Sequence, residues 1–245
     1  MVKRWFIVLA LIGLASCGLP LNDSRKSAIR NLAVISAIGD DVSLSRIFGD
    51  DEKPERLQWS FDKIASNAVI EKIRSSNPGI EIISLDYDSN DLADKINKSE
   101  PFRSFSDPAR IDPELRQLTN GKPIDTLIVI ARDDFSQGAL LSYEGVGILT
   151  ERTLLPRAPV TPYAVLSMFV IEVPSMRVIT KQGSHVKGRV YNVTPLVQFS
   201  PIGGPAPFLP GFEFPMDNDQ KEFLRPLLQE LVLTSTRQLM QRSGF

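Results

Sequence analysis

Thr126-Leu127-Ile128-Val129-Ile130-Ala131 is the most apolar strand candidate in this chain of 245 residues. A strand with one wet face alternates apolar and polar side chains, whereas a strand covered on both faces reads as a continuous apolar run. TLIVIA does not alternate, so it belongs in the middle of a sheet with helices over both faces. The expectation is an α/β domain, with α+β left open. Its frame would be a single mixed β-sheet with packed helices and a carboxy-terminal amphipathic helix.

The segments on either side supply the other elements. Asn31 to Ile38 (NLAVISAI) is aliphatic, Gly39-Asp40-Asp41 is a turn, and Val42 to Phe48 alternates as VSLSRIF, which reads as a β-hairpin. Phe61, Ile64, Ala65, Ala68, Val69 and Ile73 recur at helical spacing, with Ser60 as the cap and Asn77-Pro78-Gly79 as the stop. Ile80 to Leu85 follows as a short strand and Asp91 to Lys98 as a helical turn or two. Phe102 to Asp112 reads as a loop, and Pro113 to Leu118 as a short helix opening on proline.

Beyond TLIVIA, Leu140 to Thr150 and Ala164 to Val173 are strand candidates. Pro174-Ser175-Met176 turns the latter into Arg177 to Thr180, and Arg189 to Val193 continues or rejoins the sheet. Asp219 and Glu222 have capping-box spacing, and Leu224, Leu227, Leu228, Leu231, Ser235 and Leu239 share one helix face. Pro226 should kink that helix or mark its start. The chain contains no internal repeat.

The amino terminus carries a different signal. Lys3 and Arg4 precede an apolar run from Trp5 to Ile12, and Leu14-Ala15-Ser16-Cys17 ends the segment on small residues before the only cysteine. The run is about half of the ~20 residues that a membrane-spanning helix needs. This layout resembles the lipobox of bacterial lipoproteins. The resemblance implies that residues 1–16 are a signal peptide, that Cys17 is lipidated on its sulfur, and that the new amino terminus is acylated. Gly18 in place of an aspartate implies, by that family's sorting rule, the outer membrane. Residues 17–30, polar and without periodicity, would then be the lipidated cysteine and a tether, and 31–245 a single periplasmic α/β domain.

Composition narrows the partners. The formal charge is −1, and without Lys3 and Arg4 the 26 basic residues that remain face 29 acidic ones, a net −3. Nucleic-acid binding draws on clustered Lys and Arg, so no nucleic-acid partner is expected. One cysteine allows no disulfide framework within the chain, and with one histidine it cannot fill a structural zinc site. Neither a cofactor nor a metal is expected.

Each residue that could carry chemistry has a plain alternative beside it. His185, the only histidine, would be the base of any Ser-His-Asp triad, yet no Gly-x-Ser-x-Gly elbow surrounds a serine. An exposed histidine in a hairpin or loop is the other reading. Asp133 and Asp134 follow the buried strand, where open α/β sheets place ligand sites. Adjacent residues of an extended chain point to opposite sides, so a solvated strand-end turn is the alternative. Asp40-Asp41 and Asp50-Asp51 carry the same ambiguity. Tyr143-Glu144-Gly145-Val146-Gly147 lacks the third glycine of a dinucleotide fingerprint, which makes its glycines a bulge or a close backbone approach.

The stretch from Phe199 to Pro215 (FSPIGGPAPFLPGFEFP) is dense in proline and phenylalanine. If exposed, Phe199, Phe208, Phe212 and Phe214 would form a partner-docking loop. If turned inward, the same rings would close an open edge or face of the sheet.

The order of elements is similar to that of periplasmic α/β lipoprotein domains of the curli-secretion-channel type, and to the amino-terminal domain of the Tol system's propeller protein. Asn31 to Ile38 would be the first strand, Phe61 to Ser75 the first helix, Thr126 to Ala131 the central strand, and Phe169 to Val178 the hairpin. The expected function is therefore that of a non-enzymatic, membrane-anchored envelope lipoprotein. It would bind a protein partner on the periplasmic face in assembly or maintenance. The alternative is an envelope hydrolase or small-ligand-binding protein with a site near Asp133 and Asp134. A purely structural lipoprotein is a third possibility.

Overall fold

The computed structural model describes residues 20–47, 52–98, 112–136, 142–151, 160–188 and 215–245. Cys17, Asp50-Asp51, residues 189–193 and the rings of Phe199, Phe208, Phe212 and Phe214 lie outside the described residues, as does nearly all of 102–112.

TLIVIA forms strand β5 (Thr126–Arg132), and its side chains serve two cores. Ile128 and Ile130 enter one, Leu127, Val129 and Ala131 the other, and each of these five side chains is fully buried. Strand β1 (Asn31–Ala37) runs parallel on one side of β5, with Val34 opposite Ile128. On the other side lies β8 (Val160–Glu172), antiparallel, with Val129 opposite Phe169. The short strand β4 (Glu81–Ile82) closes this half beyond β1.

β8 is the spine of the sheet. At ~3.3 Å per residue its thirteen residues run about 43 Å. One edge is lined along nearly all its length by β9 (Arg177–Lys187), joined through the expected turn at Pro174-Ser175-Met176. The other edge is divided. Residues Leu166 to Glu172 pair with β5, whereas Val160 to Val165 pair with β7 (Ser142–Glu151). β7 carries β2 (Asp41–Ile47), parallel, and β2 carries β3 (Glu52–Arg56), antiparallel. The small strand β6 (Asp134–Ser136) folds back on the start of β7. The sheet is therefore mixed and forks along β8.

This layout corrects the hairpin expected for residues 31–48. β1 and β2 share no pairing, and both run opposite to β8. The chain steps sideways at Gly39-Asp40 and continues forward, because each strand finds its neighbours in a different branch. Two glycines fit this junction. Gly145 has φ of +65°. A Cβ on Gly147 would lie 2.3 Å from the Ser43 carbonyl oxygen and 2.6 Å from the Tyr163 hydroxyl, the close approach its sequence suggested.

Helices cover both faces. α2 (Phe61–Ser76) and α5 (Asn218–Ser243) bury Phe61, Val69, Ile73, Leu224, Leu228 and Leu239 against Ile128, Ile130, Val146 and Ile148. α3 (Ser89–Lys98) and α4 (Asp112–Thr119) contribute Leu92, Ala93, Ile96 and Leu115 to the opposite core. α5 starts earlier than expected. Its capping box is Asp217 with Gln220, not Asp219 with Glu222. The helix continues through Pro226. Glu222, whose carbonyl loses its helical partner to Pro226, and Pro226 itself are both exposed, so water can serve that group.

Residues 20–30 are not a free tether. Leu21 is buried, and its N–H donates to the Ser243 carbonyl at 2.9 Å. Helix α1 (Asp23–Ala28) follows, capped by Asn22, and Ile29 enters the core. Leu21 and Ile29 are isolated apolar residues in a polar stretch, so no periodicity announced them. Among the described residues, no helix is long and apolar enough to cross a membrane.

Candidate functional site

Charged groups gather where the sheet forks. The turn between β1 and β2 presents its N–H groups to Asp62, in the first turn of α2. The Asp62 carboxylate accepts from Ile38 at 2.9 Å and from Gly39 at 3.0 Å, and the residue is 7% exposed. Asp40 answers by accepting the Phe61 N–H at 3.1 Å. Turn and helix thus cap one another. This replaces the cap expected from Ser60, whose side chain makes no cap hydrogen bond and whose φ is 60°.

Arg132 at the end of β5 crosses the gap between the branches. Its Nε donates to the Ile38 carbonyl, and Nη2 stands 3.2 Å from the Asp41 carboxylate at the start of β2. Asp41 also receives Nε of Arg56 at 2.7 Å, and Arg56 reaches Asp94 of α3 at 2.8 Å. Six charged side chains, Asp40, Asp41, Arg56, Asp62, Asp94 and Arg132, therefore tie β1, β2, β3, β5, α2 and α3 into one joint.

Their titration follows their surroundings. Burial pushes the Asp62 carboxyl up to about 6, and the nearby Asp40 charge adds to this. Burial also raises Asp40, with the Phe61 N–H pulling the other way. At Asp41 burial is outweighed by Arg56 and Arg132, which hold the carboxyl below its usual range. Asp40, Asp41 and Asp62 each hold hydrogen-bond partners within the protein. The joint is built to fix geometry.

A second group lies next to the branch point. Asp133 continues the β5 ladder by donating to Val165, and its carbonyl accepts from Gly145. Its carboxylate sits over Gly183 of β9, where a Cβ would be 3.2 Å away. Burial raises the Asp133 pKa and lowers that of Lys181, each partly offset by the other's charge. Two residues further along β9 is His185. Its Nε2 is 2.7 Å from the Tyr143 hydroxyl, and its ring centroid is 4.1 Å from that of Phe135. The Lys187 ammonium lies 5.2 Å from the Tyr143 ring centroid and 5.8 Å from that of Phe135.

The residues singled out from the sequence thus meet only in part. Lys181, Gly183 and His185 alternate along one face of β9, and Asp133 comes to that face. Yet Asp133 is coupled to Lys181 and His185 to Tyr143. Burial, then Lys187, lowers the His185 pKa. Ser184 bonds Gln238 of α5 at 3.0 Å. Asp134 is exposed at the start of β6, and its N–H donates to Asp133 at 3.1 Å. The face gathers the tilted rings of Phe135, Tyr143 and His185, the Lys181 and Lys187 ammonium groups and the Asp133 carboxylate. His185 is half-buried in the second strand of the β8–β9 hairpin, neither fully exposed nor in a loop.

Sequence reasoning missed Asp62, Arg132 and the Tyr143–His185 bond. Only Arg132 had a signal, as a charge placed directly after six covered residues.

No family model and no curated protein matches this sequence. Some solved structures are similar to it at a low level. A hypothetical protein from Chlamydia trachomatis is 13% identical, with 87% of this chain and 95% of that one covered, at a TM-score of 0.39. The carboxy-terminal domain of LpoB from Salmonella enterica is 10% identical, covering 66% and 90%, at 0.26. Lipoprotein GNA1162 from Neisseria meningitidis is 9% identical, covering 65% and 83%, at 0.29. Likeness at this level says nothing about function.

Proposed function

We propose that this chain is a lipid-anchored, non-enzymatic lipoprotein of the bacterial outer membrane whose domain faces the periplasm and binds an envelope protein partner. The observation that carries the reading is Leu14-Ala15-Ser16-Cys17 behind Lys3, Arg4 and a short apolar run, ending on the only cysteine. The geometry of the folded body is consistent with it. The acidic groups of the fork are engaged in holding turns and strands, and His185 faces a phenol and an ammonium rather than an acid. Anchoring confines the domain to a thin layer and raises its effective concentration for neighbours in that layer. Phe199, Phe208, Phe212 and Phe214 are the proposed partner contacts.

The test is metabolic labelling with a fatty-acid probe in cells making the wild type or Cys17→Ser, together with recovery of crosslinked neighbours. Label on the wild type alone supports the anchor, and label retained by the serine variant sinks it. A crosslinked protein lost when residues 199–215 are deleted supports docking through that segment. A neighbour that survives the deletion assigns docking elsewhere.

A further inference from the structure

Leu21, four positions after Cys17, is the first buried residue among those described. Leu21 is buried and bonded to Ser243, so only a span of four residues separates the cysteine from a fixed point. At no more than ~3.6 Å per residue that span is roughly 14 Å. The sheet is far longer. From the level of Glu172 to that of Tyr163, nine rungs of β8 cover about 30 Å. A leash shorter than the body it holds selects which end of that body rests on the surface.

The end it selects is defined by its contacts. α1 lies beside the end of α2, the turn at Asn77 to Ile80, and the carboxy-terminal Gly244 and Phe245, with a groove between them. β1 starts here and runs away from it, and β2 carries the same direction onward to the far branch. Charge is distributed along this axis. The selected end holds Arg25, Lys26, Arg30, Arg74, Lys122 and Arg177 against Asp23, Glu81, Asp125 and Glu172, with Lys26 paired to Asp23 and Arg177 to Glu172. At the fork, Asp40, Asp41, Asp62, Asp88, Asp91 and Asp94 outnumber Arg56, Arg132 and Lys95. A protein that nets negative therefore carries a cationic foot beside its anchor.

We infer that the domain stands on anionic lipid headgroups by the face formed by α1, the end of α2 and Gly244-Phe245, and presents the forked end of its sheet to the compartment. This rests on Cys17 being the attachment point. Basic residues near a membrane surface are drawn to anionic headgroups within about a Debye length. Arg25 and Arg30 are exposed, and Lys26 is half-buried, with room to do this. A partner would then meet the fork, and a small or lipid-embedded partner would not reach it.

The mature chain is set on vesicles of phosphatidylethanolamine and phosphatidylglycerol through Cys17. Attachment is by its own lipid or, where the thiol proves free, by coupling to a maleimide lipid. The orientation is thus read whichever way the labelling experiment on Cys17→Ser falls. A fluorescent non-natural residue at Ser27, Ser76 or Lys53 reports contact with a headgroup quencher. Quenching several-fold stronger at 27 and 76 than at 53 is expected, with the difference reduced in the Arg25→Glu, Lys26→Glu double variant. Equal quenching at all three positions, or stronger quenching at 53, overturns the inference. So does a double variant that keeps the wild-type pattern.

Discussion

Nη2 of Arg132 stands 3.2 Å from Oδ2 of Asp41, and this contact joins the end of one branch of the sheet to the start of the other. Neither side chain is more than 17% exposed. Strands β5 and β2 share no ladder hydrogen bonds, so the fork depends on side chains where an ordinary sheet would use backbone pairing.

Replacing Arg132 with Met keeps the stem but leaves Asp41 with Arg56 alone and the Ile38 carbonyl without its donor. Breaking a buried pair from one side typically costs about 3 kcal/mol or more. A loss of roughly 2–4 kcal/mol in urea unfolding is expected. A double-mutant cycle with Asp41→Asn should show that the two losses do not add.

Asp62 makes stability depend on pH in a stated direction. Its carboxyl goes from 3.8 to about 6 on folding, so the folded chain binds that proton more tightly than the unfolded chain does. Stability from this group is therefore full below about pH 4 and is lost as pH rises to about 6, by up to ~3 kcal/mol. Asp62→Asn should remove that downward slope. Urea unfolding of both proteins at a series of pH values measures it, and parallel curves would reject the assignment.

Gly147→Ala drives a methyl into the Ser43 carbonyl and the Tyr163 hydroxyl, so β2 or Tyr163 must move. A loss on the order of 3 kcal/mol or more in thermal unfolding is expected. Gly79→Ala is the control, since nothing lies within 4 Å of its added carbon. It should stay within about 0.5 kcal/mol of the wild type.

His185 is the only histidine, so one proton resonance reports it. Burial and the Lys187 charge hold its pKa below 6.5. Lys187→Ala should raise the midpoint of an NMR titration towards the ordinary value. An unchanged midpoint would mean that burial alone sets it.

Sequence and structure agree where periodicity carries the information. TLIVIA lost its alternation because both faces are covered, and the 61–76 helix and the 174–176 turn were visible for the same local reason. The hairpin expected at 31–48 failed because alternation marks a strand but says nothing about its partner. Gly39-Asp40-Asp41 looks like a reversal, yet its N–H groups go to Asp62, a residue more than twenty positions away. Of the site residues, Asp133 and His185 could be proposed from type and position. Their separate partners, Lys181 and Tyr143, depend on the register of β8 with β9 and of β7 with β8, which no local pattern encodes.

By itself the sequence determined a lipobox-like segment ending at Cys17, an apolar central strand, amphipathic helices at 3.6-residue spacing and an acidic surplus, because each is a property of neighbouring residues. The tertiary structure alone decided that the sheet forks, that Arg132 and Asp62 hold the fork, and that Leu21 is packed into the core. Those depend on long-range pairing and burial, where the energy of a contact is set by residues tens or hundreds of positions apart.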